Sequence, residues 1–148
     1  MLATIRPDDW NLPLFVHVLG AMLLVGATLT GACLLAFARG DERLLRHGYR
    51  TLFMVGIPSY AAMWGGAHWI YAKEGLDERP IEFAWETIGF AVTEVGAVLF
   101  VTALILGGIG VRRLPAGGGG LLKAATAICV LLLAGFAVAA WAMSAKPG

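Results

Sequence analysis

The chain has 148 residues, of which 59% are hydrophobic and only 14% are charged, and its mean hydropathy is +0.77. Soluble globular domains are far less apolar, so this composition predicts an integral membrane protein. The net charge is +1, and no face or tail is dense in Lys and Arg, which excludes nucleic acid as a partner. The bilayer is the expected surrounding of a single domain over residues 1–148.

Four apolar segments are long enough to cross a bilayer as helices, at about residues 13–37, 51–71, 88–111 and 121–143. A spanning helix needs roughly 20 predominantly apolar residues, and each segment meets that length. Pro58 lies inside the second segment, where it predicts a kink rather than an end. The sequence therefore predicts an all-α fold, built as a four-helix membrane bundle.

Basic residues beside the connections predict the orientation of this bundle. Seven fall on the side of the first and third connections, against four on the opposite side. The positive-inside rule therefore places both termini outside, and the richness in Ala, Gly, Leu and Val suggests a bacterial plasma membrane. The first connection, residues 40–50, is predicted as a polar loop. The seven basic residues are Arg39, Arg43, Arg46, Arg50, Arg112, Arg113 and Lys123.

Residues 16–31 and 92–107 resemble each other. Seven of the sixteen aligned positions are identical, from Val16 and Val92 to Gly31 and Gly107. A tandem two-helix repeat would explain this pattern, and so would chance similarity between apolar helices. If the repeat is real, helices one and two correspond to helices three and four, related by an axis along the membrane normal.

Three ionisable side chains fall inside predicted spans: His17, His68 and Glu94. Even lenient scales assign a charged residue at a helix centre ~2.5 to 3.5 kcal/mol, so each is a candidate functional residue. In the predicted topology all three lie near the outer surface. Glu82 and Glu86 stand just above them at the start of the third helix.

An aromatic stripe runs along the second helix at Tyr60, Trp64, His68 and Tyr71, with spacings typical of one helical face. Such a stripe suits a flat, apolar cofactor. The alternative is an interfacial aromatic belt combined with helix packing. The spacing of these residues is compatible with both.

The first functional hypothesis is a haem b held between His17 and His68 on neighbouring antiparallel helices, because bundle haem sites use side chains of facing helices. Tyr60 and Trp64 would lie against the haem, and Glu94 would tune it or relay protons. This hypothesis predicts a redox or electron-transfer role at the outer side of the membrane. A membrane redox partner or a second copy of the chain would then be the partner.

Two further hypotheses compete with haem. A metal ion of the copper or zinc type would use His17, His68, Glu94 and Glu86 as N and O ligands. Alternatively, the histidines only donate to carbonyls or pair with Glu94, and the protein is a non-catalytic accessory subunit or scaffold. The sequence shows no nucleophile with a positioned base, so catalytic residues and enzymatic activity are left open.

The segment Phe15 to Gly26, FVHVLGAMLLVG, resembles the opening helix of small bacterial membrane proteins of the CopD-like group. That group includes copper-resistance membrane domains, uncharacterised integral membrane proteins and, more distantly, HemJ-type protoporphyrinogen oxidases. Their first-helix His and following glycines correspond to His17, Gly20 and Gly26. The resemblance implies a four-helix fold and, from the HemJ-like branch, haem binding at His17. It favours haem or metal over the scaffold without choosing between them.

Overall fold

The computed structural model describes residues 11–75 and 83–145, and every regular element in these two ranges is helical. This confirms the predicted all-α class. A π-helical turn, Leu52–Gly56, precedes the third α-helix, and a 3₁₀ turn, Leu114–Ala116, follows the fourth. The α-helices are α1 (Asn11–Phe37), α2 (Glu42–Thr51), α3 (Ile57–Lys73), α4 (Ala84–Arg112) and α5 (Gly119–Ala145).

Three of the helices, α1, α4 and α5, are long and apolar enough to cross a membrane. They coincide with the first, third and fourth predicted spans. The second predicted span corresponds to α3, which has only 17 residues but continues without a break from the five-residue π turn. The surface of the bundle exposes large apolar side chains such as Phe15, Met22, Phe37 and Val98. A surface of this kind matches lipid rather than water.

The first connection is helical, which corrects the predicted polar loop over residues 40–50. The Asp41 carboxylate accepts hydrogen bonds from the backbone N–H groups of Arg43 and Leu44, at 2.8 and 3.3 Å, and so caps α2. Leu45 and Gly48, three residues apart, are buried, while the rest of α2 is mostly polar. The low hydropathy of this segment indicates a loop, although the segment forms a short amphipathic helix.

The π turn Leu52–Gly56 ends two residues before Pro58, where the sequence predicts a kink. Proline has no backbone N–H, so the carbonyl four residues earlier loses its usual α-helical donor. A widened turn is one of the ways in which a helix accommodates such an interruption. Gly56 ends the turn, and its missing side chain leaves space for the Phe100 ring of α4.

The helices pack most closely as the pairs α1–α3 and α4–α5, and α1 and α5 join the two pairs. Glycines permit the close approach of α1 and α3. A Cβ atom on Gly66 would lie 2.6 Å from the backbone N of His17, and one on Gly20 would overlap the Met63 backbone. By contrast, the α3 and α4 backbones have no comparable approach in the described residues. The bundle is therefore open between α3 and α4.

Candidate functional site

A groove of about 470 Å³ lies between α3 and α4, and we call it the α3–α4 groove. Among the described residues that line it, only Glu94 carries a charge. The groove opens on the flank of the bundle, because Ile57, Trp64 and Val101 in its walls are exposed. The lining residues are Ile57, Tyr60, Ala61, Trp64, Glu94, Ala97, Phe100, Val101 and Leu104.

Tyr60 forms the floor of the groove and joins its two walls. The Tyr60 hydroxyl donates a 2.7 Å hydrogen bond to the backbone carbonyl of Thr93. Its ring stacks on Phe100 with centroids 5.3 Å apart and an interplanar angle of 25°. Gly96 leaves the space that the hydroxyl needs, since a Cβ there would lie 3.1 Å from the Tyr60 oxygen. Tyr60 is therefore a fixed, buried anchor between α3 and α4.

Trp64 and Glu94 face each other across one end of the groove. The Trp64 Nε1–H donates to Glu94 Oε1 over 3.4 Å, which is longer than a strong N–H···O bond. Both side chains are exposed, and the indole retains 45% of its accessible surface. This contact closes the end of the groove only weakly.

His68 lies one turn beyond Trp64 on the side of α3 that faces α4. Its imidazole meets the Trp64 indole edge-on, with centroids 4.2 Å apart, and is 6.4 Å from the Phe90 ring. Tyr71 contacts the same Phe90 at 5.2 Å with perpendicular rings. The aromatic stripe of α3 therefore lies against α4, where it borders the groove.

His17 is engaged with a different face of α3. Its Nδ1 atom lies 2.8 Å from the backbone carbonyl oxygen of Met63. A carbonyl can only accept, so Nδ1 must carry the hydrogen, and the other ring nitrogen, Nε2, is not used in this bond. The ring is half-buried at the contact between α1 and α3.

His17 and His68 lie on different sides of α3. Met63 and Gly66 pack against α1 and His17, whereas Trp64 and His68 face α4. Positions 63 and 68 are separated by about 140° around an α-helix. The structure therefore does not bring the two imidazoles together, and a haem clamped between them would require α3 to rotate.

The four candidate metal ligands are likewise not assembled. In residues 11–75 and 83–145 there is no group of three or more His, Cys, Asp and Glu side chains suited to hold a metal ion. Glu86 is buried in the first turn of α4, where the helix dipole favours a carboxylate. Glu94 lies about two turns further along α4, in the groove wall. Glu82 falls outside the described residues.

Sequence reasoning missed the groove residues of α4 apart from Glu94. Glu94, Ala97, Val101 and Leu104 follow one another at spacings of three, four and three residues, which places them on one helical face. This stripe was visible in the sequence. The stripe does not stand out as a separate face, because α4 is apolar on every side.

No known protein family, curated protein or solved structure matches the chain. The resemblance of the first helix to the CopD-like group, and the haem-binding role that it implies for His17, therefore stay predictions.

Proposed function

We propose that the protein crosses a bacterial plasma membrane four times, with both termini outside. The second crossing would combine the π turn Leu52–Gly56 with α3, which together are long enough for about 30 Å of hydrocarbon. The basic residues of α2 and of the α4–α5 connection then lie on the cytoplasmic side. Alkaline phosphatase fused after Gly148 should be active, and the same enzyme fused after Gly117 inactive. The opposite result would show that both termini lie on the cytoplasmic side.

For function, we propose that the α3–α4 groove binds a flat apolar cofactor, haem b, in an electron-transfer role at the outer side of the membrane. The groove itself is the observation that carries this proposal. Its volume lies within the range of roughly 300–1,000 Å³ that is typical of ligand pockets. Tyr60, Trp64 and Phe100 provide aromatic surfaces for a planar ring, and the remaining lining is apolar apart from Glu94.

The positions of the histidines favour His68 as the residue that would hold the haem. It lies one turn beyond Trp64 of the groove lining, on the α4-facing side of α3, whereas His17 bonds to Met63 on the other side. Trp64 stands between His68 and the groove, so binding requires the indole to swing aside. Its exposure and its 3.4 Å bond to Glu94 make that movement inexpensive.

An absorbance spectrum of the protein, expressed with excess haem and purified in mild detergent, tests this proposal. We expect a Soret band that His68→Ala abolishes and His17→Ala preserves. Loss of the band in His17→Ala alone would indicate that His17, and not His68, holds the haem. A colourless wild-type protein would refute haem binding, and metal analysis of the same sample tests the copper- or zinc-type alternative directly.

A second candidate is a non-catalytic accessory subunit, and the His17 hydrogen bond favours it. That bond gives His17 a purely structural purpose, namely holding α1 against α3. Under this proposal the groove receives a helix of a partner protein instead of a cofactor. A stoichiometric partner that co-purifies with the wild type and is lost in Ala97→Trp, which fills the groove, would support it.

A further inference from the structure

A second cavity, of about 200 Å³, lies between α2 and α4 at the opposite end of the bundle from His68, and we call it the arginine pocket. Three arginine residues from two helices are among the residues that line it. No carboxylate is among the described residues of its lining. The lining residues are Arg46, Tyr49, Arg50, Gly108, Val111 and Arg112.

Two glycines of α4 build this pocket by admitting the ring of Tyr49. A Cβ atom on Gly108 would lie 2.8 Å from the Tyr49 hydroxyl oxygen, and one on Gly107 would lie 3.0 Å from the ring. The ring can therefore lie close to the α4 backbone and hold α2 there. Arg46 and Arg50, one turn apart on α2, are thereby brought beside Arg112 of α4.

The positive charge of the pocket is only slightly compensated. Arg46 Nη2 lies 3.6 Å from Glu42 Oε2, but both side chains are about half exposed, and water weakens such a pair strongly. Arg50 and Arg112 meet no carboxylate in the lining of the pocket. Three like charges at one cavity repel one another, and an anion bound between them relieves that repulsion.

The location of the pocket indicates what kind of anion reaches it. Arg112 is the last residue of α4, a 29-residue apolar helix, so it marks the level at which α4 leaves the hydrocarbon. Val111 and Gly108 extend the lining toward the apolar side. A ligand at this level can place a charged group among the arginines and an apolar part along α4.

We propose that the arginine pocket binds a phosphate group, carried by the headgroup of an anionic phospholipid at this face of the membrane. The planar guanidinium fork matches phosphate oxygens, and basic pockets between helices at a cytoplasmic face are suited to such headgroups. The inference rests on the proposed membrane crossing and is independent of the haem proposal. Free phosphate would satisfy the same arginines, so the experiment separates the two sources.

The test compares two variants of the full chain with equal loss of charge. One combines Arg46→Gln, Arg50→Gln and Arg112→Gln. The control combines Arg43→Gln, Arg113→Gln and Lys123→Gln, which remove three exposed basic residues outside the lining. Native mass spectrometry measures retention of phosphatidylglycerol and phosphatidylcholine, and calorimetry measures binding of inorganic phosphate alone.

We expect the wild type and the control to bind phosphatidylglycerol at least about tenfold more tightly than phosphatidylcholine, and the pocket variant to lose that preference. If inorganic phosphate binds to the wild type and the control but not to the pocket variant, the arginine pocket is a phosphate site whose ligand is free phosphate rather than a lipid headgroup. Equal lipid and phosphate binding by the two variants would overturn the proposal. If the triple variant does not purify as a single species, the single variant Arg50→Gln, set against Arg43→Gln, decides in the same way.

Discussion

The Nδ1 atom of His17 donates a 2.8 Å hydrogen bond to the backbone carbonyl of Met63, which joins α1 to α3 across their tightest contact. This bond fixes which nitrogen of the imidazole carries the hydrogen. It also separates His17 from His68, whose ring lies against Phe90 of α4. The relationship between these residues determines how a ligand could use this end of the bundle.

Removal of this bond should destabilise the bundle. His17→Ala loses one interhelical hydrogen bond, and such bonds in membrane proteins are worth about 0.6 kcal/mol on average and up to about 1.7. We expect a loss of about 1 kcal/mol in the free energy of unfolding, measured by denaturant titration in mixed micelles. His47→Ala is the control, because the His47 imidazole is exposed and bonds only within α2. Equal stability of the two variants would show that the His17 bond contributes nothing.

Adjacent glycines of α3 provide a matched test of the close contact with α1. A Cβ on Gly66 would lie 2.6 Å from the His17 backbone N, whereas one on Gly65 would meet no atom within 4 Å. Gly66→Ala should therefore destabilise the protein by about 1–3 kcal/mol through overpacking. Gly65→Ala should be neutral or stabilising, by up to about 1 kcal/mol, because alanine favours helix. Thermal unfolding in detergent compares them, and similar melting temperatures would contradict the described packing.

The Tyr60 hydroxyl should matter more than that of Tyr71. Tyr60→Phe removes the 2.7 Å bond to the Thr93 carbonyl but keeps the ring stacked on Phe100. We expect a loss of about 0.5–1.5 kcal/mol in unfolding free energy. Tyr71→Phe keeps the ring that contacts Phe90 and should change stability little. A larger effect at Tyr71 would be incompatible with the anchoring role of Tyr60.

If haem occupies the α3–α4 groove, Glu94 should lower its reduction potential, because a nearby carboxylate stabilises the oxidised iron. Glu94→Gln should then shift the midpoint potential upward, measured by spectroelectrochemical titration. Glu74→Gln is the control, since Glu74 is exposed just beyond α3 and outside the groove lining. An unchanged potential in Glu94→Gln would place the haem away from the groove.

The fold class and three membrane-length helices were predictable because apolar composition and segment length suffice to define them. The helix in the first connection was harder to predict from the sequence. The polarity of the segment indicates a loop, whereas the cap at Asp41 and the spacing of Leu45 and Gly48 indicate a helix. The π turn before Pro58 was anticipated only as a kink. Proline signals an interrupted hydrogen bond without specifying how the chain accommodates it.

The aromatic face of α3 was predictable from the sequence, whereas the α4 residues that it meets and the arrangement of the two histidines were not. Tyr60, Trp64 and His68 do line one face of α3, as their spacing indicated. Whether His17 shares that face depends on the rotation of α3 about its axis. That rotation is determined by contacts at Gly20 and Gly66, which are glycines among many in this chain. Sequence periodicity defines a face but not the neighbour that it meets.

The lateral opening of the α3–α4 groove has a consequence for how any ligand should be assayed. In the proposed membrane topology, a ligand that enters from the flank of the bundle comes from the bilayer, so its effective concentration is its mole fraction in lipid. Dilution with buffer would leave the occupancy of the groove almost unchanged, whereas added detergent or lipid would lower that occupancy. Titrations that vary the lipid-to-protein ratio are therefore the appropriate measure of affinity for this groove.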